Sequence, residues 1–210
     1  TALDAFVATC PELDTVKIKG RGQKSIDSFV AYVKEKYPQF TTIKVCDTLE
    51  EMVRDTDVMS FGASTGQDPT KYALVKEEWI KKGAFIVAPS AIDFEDEFLA
   101  KRARLVVDSM GLYHAWAEEY PYPTFGPIDI VGCKFTDMIH DSMITEDQIS
   151  DMGDILMGKK PKRTSDDEIV VYSVGGMPVE DVAWGKVIYE NAKKMGLGVS
   201  LNLWDVPYMA

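Results

Sequence analysis

Three short stretches of this 210-residue sequence carry groups that handle phosphates, carboxylates or protons. Gly20-Arg21-Gly22-Gln23-Lys24-Ser25 puts a guanidinium, an ammonium and a hydroxyl into one glycine-bearing turn. Such donors suit a phosphate, the guanidinium as a planar fork and the ammonium as a point charge. Gly62-Ala63-Ser64-Thr65-Gly66 is a loop of small residues with two adjacent hydroxyls. Ser173-Val174-Gly175-Gly176 sets a glycine pair ahead of Pro178, Glu180 and Asp181, a good first turn for a helix. Paired glycines let a backbone approach its neighbour closely. The other chemistry-bearing residues are scattered. His114 and His140 have no ligand partner at metal spacing, so structural roles are expected. Asp166-Asp167-Glu168 suggests a cation, but no further oxygen ligands are spaced around it, and a solvated strand entrance accounts for it. No metal site is expected.

The elements that must position these groups alternate between two periods. Residues 2–10 read as the tail of a helix that ends at Pro11, and residues 16–19 as a short strand stopped by the turn at 20–22. Ile26, Phe29, Val30 and Val33 have helical spacing and place a helix over 24–36. Strands follow at 42–46 and 57–61, with a short helix at 49–54 between them, and then a helical turn at 76–80. A strand at 84–88 closes at Pro89, a helix covers 95–101, a strand 105–107 and a helix 110–119. Pro121, Pro123, Gly126 and Pro127 break the pattern, as an ordered loop or a crossing between layers. Residues 146–158 read as a helix ending at Gly158, 169–173 as a strand and 179–194 as a long helix stopped by Gly196 and Gly198. The tail from Val199 to Ala210 alternates and is aromatic, which suits a strand of a neighbouring layer. Short, continuously apolar strands alternating with helices predict a parallel sheet covered on both faces, a doubly wound α/β fold of the Rossmann type.

In such a fold an opening strand leads into G-x-G-x-x-G and a helix. Here the opening helix is present without that strand or those glycines. The strand at 16–19 is then the second strand, and the turn after it meets the adenosine ribose. An acidic residue there would bind the ribose hydroxyls and favour NAD(H). Arg21, Gln23, Lys24 and Ser25 suit a 2′-phosphate instead, so NADP(H) is preferred and NAD(H) stays open. The alternative is a solvated turn with Ser25 near a helix start. Ala63, Ser64 and Thr65 follow a strand at the carboxyl edge, where open α/β sheets bind ligands. Their hydroxyls are placed for the nicotinamide side of the cofactor, or they form a plain turn.

Composition bounds the partners. Hydrophobic residues make up 46 % and charged residues 27 %, enough apolar material for a packed core. A net charge of −11 repels nucleic acid and anionic membrane surfaces. The chain has no apolar run of about 18 residues and no basic-then-apolar leader, so neither a membrane span nor a secretory signal is expected. Cys10, Cys46 and Cys133 are widely spaced, with no CxxC, and imply a reduced, cytoplasmic protein in which Cys46 is a small buried hydrophobe.

The stretch from Ser165 to Gly176, followed by Val179-Glu180-Asp181, resembles the ornithine cyclodeaminase and mu-crystallin family. The run from Gly153 to Gly158, Asp57-Val58-Met59, Trp79-Ile80-Lys81-Lys82-Gly83-Ala84 and Val106-Val107-Asp108-Ser109 are similar to the same family. The resemblance covers nearly the whole chain, and its most specific part is 165–181. It implies homodimers that bind NAD(H) or NADP(H) and act on amino or imino acids by cyclodeamination, dehydrogenation or ketimine reduction. It also implies a division into a partial NAD(P)-binding domain over 1–196 and a tail over 197–210 that packs on a substrate and dimer domain. That domain, with the basic residues that grip the substrate carboxylate, lies outside this sequence.

Two site assignments follow from the resemblance. Ser173, Val174 and Gly175 resemble the family's cofactor-facing segment. A family aspartate after the fifth parallel strand acts as general acid or base, and Asp93 in Pro89-Ser90-Ala91-Ile92-Asp93 is its candidate here. Asp93 lies one place later than the pattern, and Phe94-Glu95-Asp96 replaces a Pro-Gly-Lys run. Asp93 equally suits capping the helix at 95–101. The expected function is an NAD(P)-dependent oxidoreductase or lyase of amino or imino acids. The alternatives are a mu-crystallin-like binding protein that holds NADPH and a small ligand without turnover, and an unrelated Rossmann dehydrogenase.

Overall fold

The structure is a computed structural model and describes residues 2–62 and 68–201. The chain divides into two compact units, residues 1–175 and 176–210. The strands of the first unit are β1 (Thr15–Ile18), β2 (Thr42–Val45), β3 (Val58–Ser60), β4 (Leu74–Val75), β5 (Phe85–Ala88), β6 (Asp93–Phe94), β7 (Ala103–Val107), β8 (Ile149–Asp151) and β9 (Ile169–Ser173). Its helices are α1 (Ala2–Thr9), α2 (Gln23–Lys36), α3 (Leu49–Val53), α4 (Asp96–Lys101), α5 (Met110–Glu119), α6 (Val131–His140) and α7 (Met152–Leu156). The second unit holds α8 (Pro178–Lys194).

Five strands form one parallel sheet in the order β3-β5-β9-β7-β8. Their continuous apolar runs follow from burial on both faces. On one face Ile86, Ala88, Leu105, Val107 and Val171 pack with Phe98, Tyr113 and Phe135 from the helices. On the other, Val106 and Val170 pack with Ile155 and Met152 of α7, flanked by Phe85 and Tyr172. A second, two-stranded parallel sheet pairs β1 with β2. Val16, Val33, Tyr37 and Phe40 form its core, with Leu3 and Val7 of α1 against them. Among the described residues, β1 pairs only with β2 and β3 only with β5. The predicted α/β class with parallel strands is therefore the observed one.

Register decides what lies at the carboxyl edge. Ser173 stands opposite both Ala88 and Val107, and Ser60 opposite Val87. The chain thus leaves β3, β5, β9 and β7 at one level, through Phe61-Gly62, Pro89-Ser90, Val174-Gly175 and Asp108-Ser109.

Two elements depart from the sequence expectation. Residues 146–158 are not one helix: a 3-10 turn at Glu146–Gln148 leads into β8 and then α7. Ile149-Ser150-Asp151 pairs with Leu105-Val106-Val107 at the sheet edge. That pairing buries Ile149 and outweighs local helical spacing. Residues 131–140, to which the reading assigns no element, form α6, and this helix buries Val131, Cys133, Phe135 and Met138. Pro121 to Pro127 dominate the pattern just upstream and mask its start. The tail expected as a strand lies, from residue 202 onward, outside the described residues.

In the second unit, α8 opens with Pro178 and has Glu180 and Asp181 in its first turn and Lys193 and Lys194 in its last. Both ends complement the helix dipole. Gly196 (φ +66°) provides the left-handed residue just past its end. No helix among the described residues is long and apolar enough to cross a membrane.

The thiols give a simple check on this packing. Cys46 and Cys133 are buried and Cys10 is half-buried. Burial pushes the Cys133 thiol up to about 12 and the Cys46 thiol upward. The thiolate is the reactive form. Titration with an aromatic disulfide reagent is therefore expected to modify Cys10 first, with Cys46 and Cys133 reacting only when denaturant is added. Fast reaction of Cys133 in the native protein would contradict the position of α6.

Candidate active site at the carboxyl edge of the sheet

A buried polar network closes the carboxyl edge of β7 and β9. The Tyr113 hydroxyl donates to Asp108 Oδ1 at 3.0 Å and lies 3.1 Å from Ser173 Oγ. Ser173 Oγ accepts the Gly132 N–H at 2.7 Å, so its own proton is directed at the Tyr113 oxygen. Asp108 Oδ2 accepts the Gly175 N–H at 2.9 Å, and Oδ1 also accepts the Ser109 N–H at 3.0 Å. Tyr113 and Ser173 are fully buried and Asp108 nearly so. Burial, reinforced by the nearby Asp108 carboxylate, holds the Tyr113 phenol far above its ordinary value, so it stays a neutral donor.

In this network the Ser173 side chain is buried, with its hydroxyl between the Gly132 N–H and the Tyr113 oxygen. Of the predicted segment, Val174 donates its N–H to the Ala88 carbonyl at 3.3 Å, and the Gly175 N–H is held by Asp108. Gly175 is tightly packed: a Cβ there would lie 2.6 Å from Leu112 and 2.9 Å from Trp116. Gly132, at the start of α6, has even less room, since a Cβ would lie 2.1 Å from the Tyr113 ring. Tyr113→Phe leaves two buried polar groups one partner short, and is expected to cost about 1–3 kcal/mol of stability in denaturant unfolding. An unchanged midpoint would show that the network carries no net energy.

Asp93 is the last residue but one of the segment that follows β5 and returns to pair in β6. Its N–H donates to the Ala73 carbonyl at 3.0 Å. Asp93 Oδ1 accepts the Phe94 N–H at 2.8 Å and the Lys134 ammonium at 2.5 Å. Lys134 Nζ also donates to the Phe94 carbonyl at 2.7 Å and contacts Asp96 Oδ1 at 2.7 Å. Asp93 does not cap the following helix: Glu95 is the N-cap residue of α4, and the Glu95 carboxylate instead accepts the Glu77 N–H at 2.7 Å. Sequence reasoning missed Lys134. The one available signal was the spacing of Val131, Phe135, Met138 and Ile139, which marks the helix but not the function of its lysine.

Arg21, Gln23, Lys24 and Ser25 occupy the exposed turn after β1 and the first turn of α2. Gly22 is the N-cap, with no side-chain cap, and the first turn holds no acidic residue. The start of α2 therefore presents the positive end of the helix dipole with no side-chain cap over it, and Lys24 adds a cation. The Gln23 amide is engaged with Asp27 Oδ1 at 2.8 Å, so it is not freely offered to a ligand. Ala63, Ser64 and Thr65 lie outside the described residues. Among the described residues no cluster of His, Cys, Asp or Glu is placed to hold a metal ion.

Parallel strands covered by helices, with four strands of the larger sheet ending at one level, define an α/β domain of the class that binds ligands at its carboxyl edge. The model of the ornithine cyclodeaminase/mu-crystallin family matches residues 1–196, and the chain belongs to that family. It is 24 % identical to N-((2S)-2-amino-2-carboxyethyl)-L-glutamate dehydrogenase of Staphylococcus aureus, over 96 % of this chain and 54 % of the relative. It is 29 % identical to alanine dehydrogenase of Archaeoglobus fulgidus, over 66 % of this chain and 39 % of the relative. Among solved structures, an archaeal alanine dehydrogenase dimer with bound NAD aligns at TM-score 0.71 and 22 % identity, over 97 % of this chain and 57 % of that one. Delta(1)-pyrroline-2-carboxylate reductase of Thermococcus litoralis, in complex with NADH and L-proline, aligns at 0.70 and 23 %, over 95 % and 57 %. The chain therefore spans about half the length of the S. aureus relative.

Proposed function

We propose that this chain is the dinucleotide-binding part of an NADP(H)-dependent oxidoreductase of small amino or imino acids. The observation that carries the reading is the shared carboxyl edge, where Gly175 and the loop that leads to Asp93 leave adjacent strands. The family match and the dehydrogenase and reductase relatives support it. A bound nicotinamide supplies the hydride chemistry. The protein's part is to orient and to move a proton. Arg21, Lys24 and Ser25, with the uncapped start of α2, hold the 2′-phosphate of the adenosine ribose. The Val174-Gly175 backbone lines the nicotinamide side, joined by Ser64 and Thr65, which follow β3 in the sequence. Asp93 exchanges a proton with the substrate nitrogen. Its two ordered donors, the Phe94 N–H and the Lys134 ammonium, both bond Oδ1, and among the described residues Oδ2 has no bonding partner.

In the same reading the protein works as a cytoplasmic homodimer, and residues 197–210 pack on a substrate and dimer domain. The altered loop at 89–96, where Phe94-Glu95-Asp96 replaces a Pro-Gly-Lys run, favours one alternative, a binding protein that holds the cofactor without turnover. Titration of the full-length protein with NADPH and NADH separates these readings when followed by turnover of Delta(1)-pyrroline-2-carboxylate and of pyruvate with ammonium. The proposal expects NADPH to bind at least about tenfold tighter, a difference of about 1.4 kcal/mol, and one substrate to be reduced. Tighter NADH binding would overturn the NADP(H) preference. Binding without turnover would establish the alternative.

A further inference from the structure

We infer that Lys134 is a positioning residue that presents one oxygen of Asp93 to the substrate. The inference rests on the reading of Asp93 as the proton-exchanging group. Lys134 is itself unsuited to chemistry. An ammonium has three protons to donate. Lys134 Nζ has three oxygen partners, Asp93 Oδ1, the Phe94 carbonyl and Asp96 Oδ1, at 2.5, 2.7 and 2.7 Å. Its side chain is only 13 % exposed, and the Phe125 ring lies 6.0 Å from Nζ. All its capacity is therefore spent on one short segment, residues 93–96.

The effect on Asp93 is orientational. The Asp93 backbone is fixed by its bond to Ala73, and Oδ1 is fixed by two donors, Phe94 N–H and Lys134. A carboxylate held through one oxygen has its plane and its second oxygen set as well. The frame for this is rigid, because α6 is itself anchored to the sheet edge by the Gly132–Ser173 bond of 2.7 Å. Lys134 lies two residues beyond that anchor in the sequence. A line of contacts therefore runs from the end of β9 through α6 to the Asp93 carboxylate. Placement within a fraction of an ångström is what makes a general acid or base effective.

The test is a double-mutant cycle in the full-length protein, with Lys134→Met, Lys134→Arg, Asp93→Asn and the Met/Asn pair. Delta(1)-pyrroline-2-carboxylate and pyruvate with ammonium serve as probes, and NADPH affinity and thermal midpoint are read on every variant. Lys134→Met is expected to lower kcat at least about tenfold with NADPH affinity within about twofold of wild type. Lys134→Arg restores most of the loss. On the Asp93→Asn background, Lys134→Met costs nothing further, because a positioning residue acts through the group it positions. Full turnover by Lys134→Met, or a loss that adds in full to that of Asp93→Asn, overturns the inference alone. Full turnover by Asp93→Asn, or a wild-type protein inert toward both probes, overturns the reading of Asp93 and this inference with it.

Discussion

Asp93→Asn is expected to lower kcat by about 10²–10⁴-fold while leaving nicotinamide affinity and folding nearly unchanged. The asparagine side chain has almost the shape of the aspartate and keeps an oxygen that can accept the Phe94 N–H and the Lys134 ammonium. What it loses is the ability to take up and return a proton at the second oxygen. The loss therefore appears in kcat and not in cofactor affinity, the pattern of an interaction made only along the reaction. Steady-state kinetics, set beside a fluorescence titration with NADPH, reads both quantities on one preparation. Full turnover by the variant would make Asp93 a structural partner of Lys134 and leave the proton to another group.

The second large effect concerns the cofactor. Arg21→Asp combined with Lys24→Glu is expected to weaken NADPH by about 10²-fold, and NADH by less than about tenfold. Charge-assisted hydrogen bonds contribute about 1.5–3 kcal/mol each. The turn is exposed, which discounts that figure toward its lower end. Stability is expected to move the other way. The first turn of α2 has no acidic residue, and a carboxylate there meets the positive end of the helix dipole, worth about 0.3–1 kcal/mol. A variant that loses NADPH and keeps or raises its thermal midpoint would locate the 2′-phosphate at this turn. A variant with unaltered preference would place cofactor discrimination elsewhere.

Much of the architecture was legible in local pattern. The apolar runs at 84–88, 105–107 and 169–173 announce buried parallel strands, and the spacing of Ile26, Phe29 and Val33 announces α2. What was not legible has physical causes. Residues 149–151 lie in a stretch with helical spacing and become β8, because pairing with Leu105–Val107 buries Ile149 against a sheet edge that exists only in the folded chain. The contacts of Ser173 were not legible either, because its partner Tyr113 lies 60 positions away in sequence.

The sequence by itself determined the α/β class, the alternation of strands and helices and the cationic turn after the strand at 15–18. These depend on periodicity and residue type over a few neighbouring positions, and local sterics and dipoles express them directly. Only the tertiary structure decided that β9 lies between β5 and β7, that α6 exists and is anchored at Ser173, and that Lys134 holds Asp93 across 41 positions. Such pairings depend on which surfaces become neighbours when the sheet buries its apolar faces. That choice is made by the packing of the whole core, and no single segment contains it.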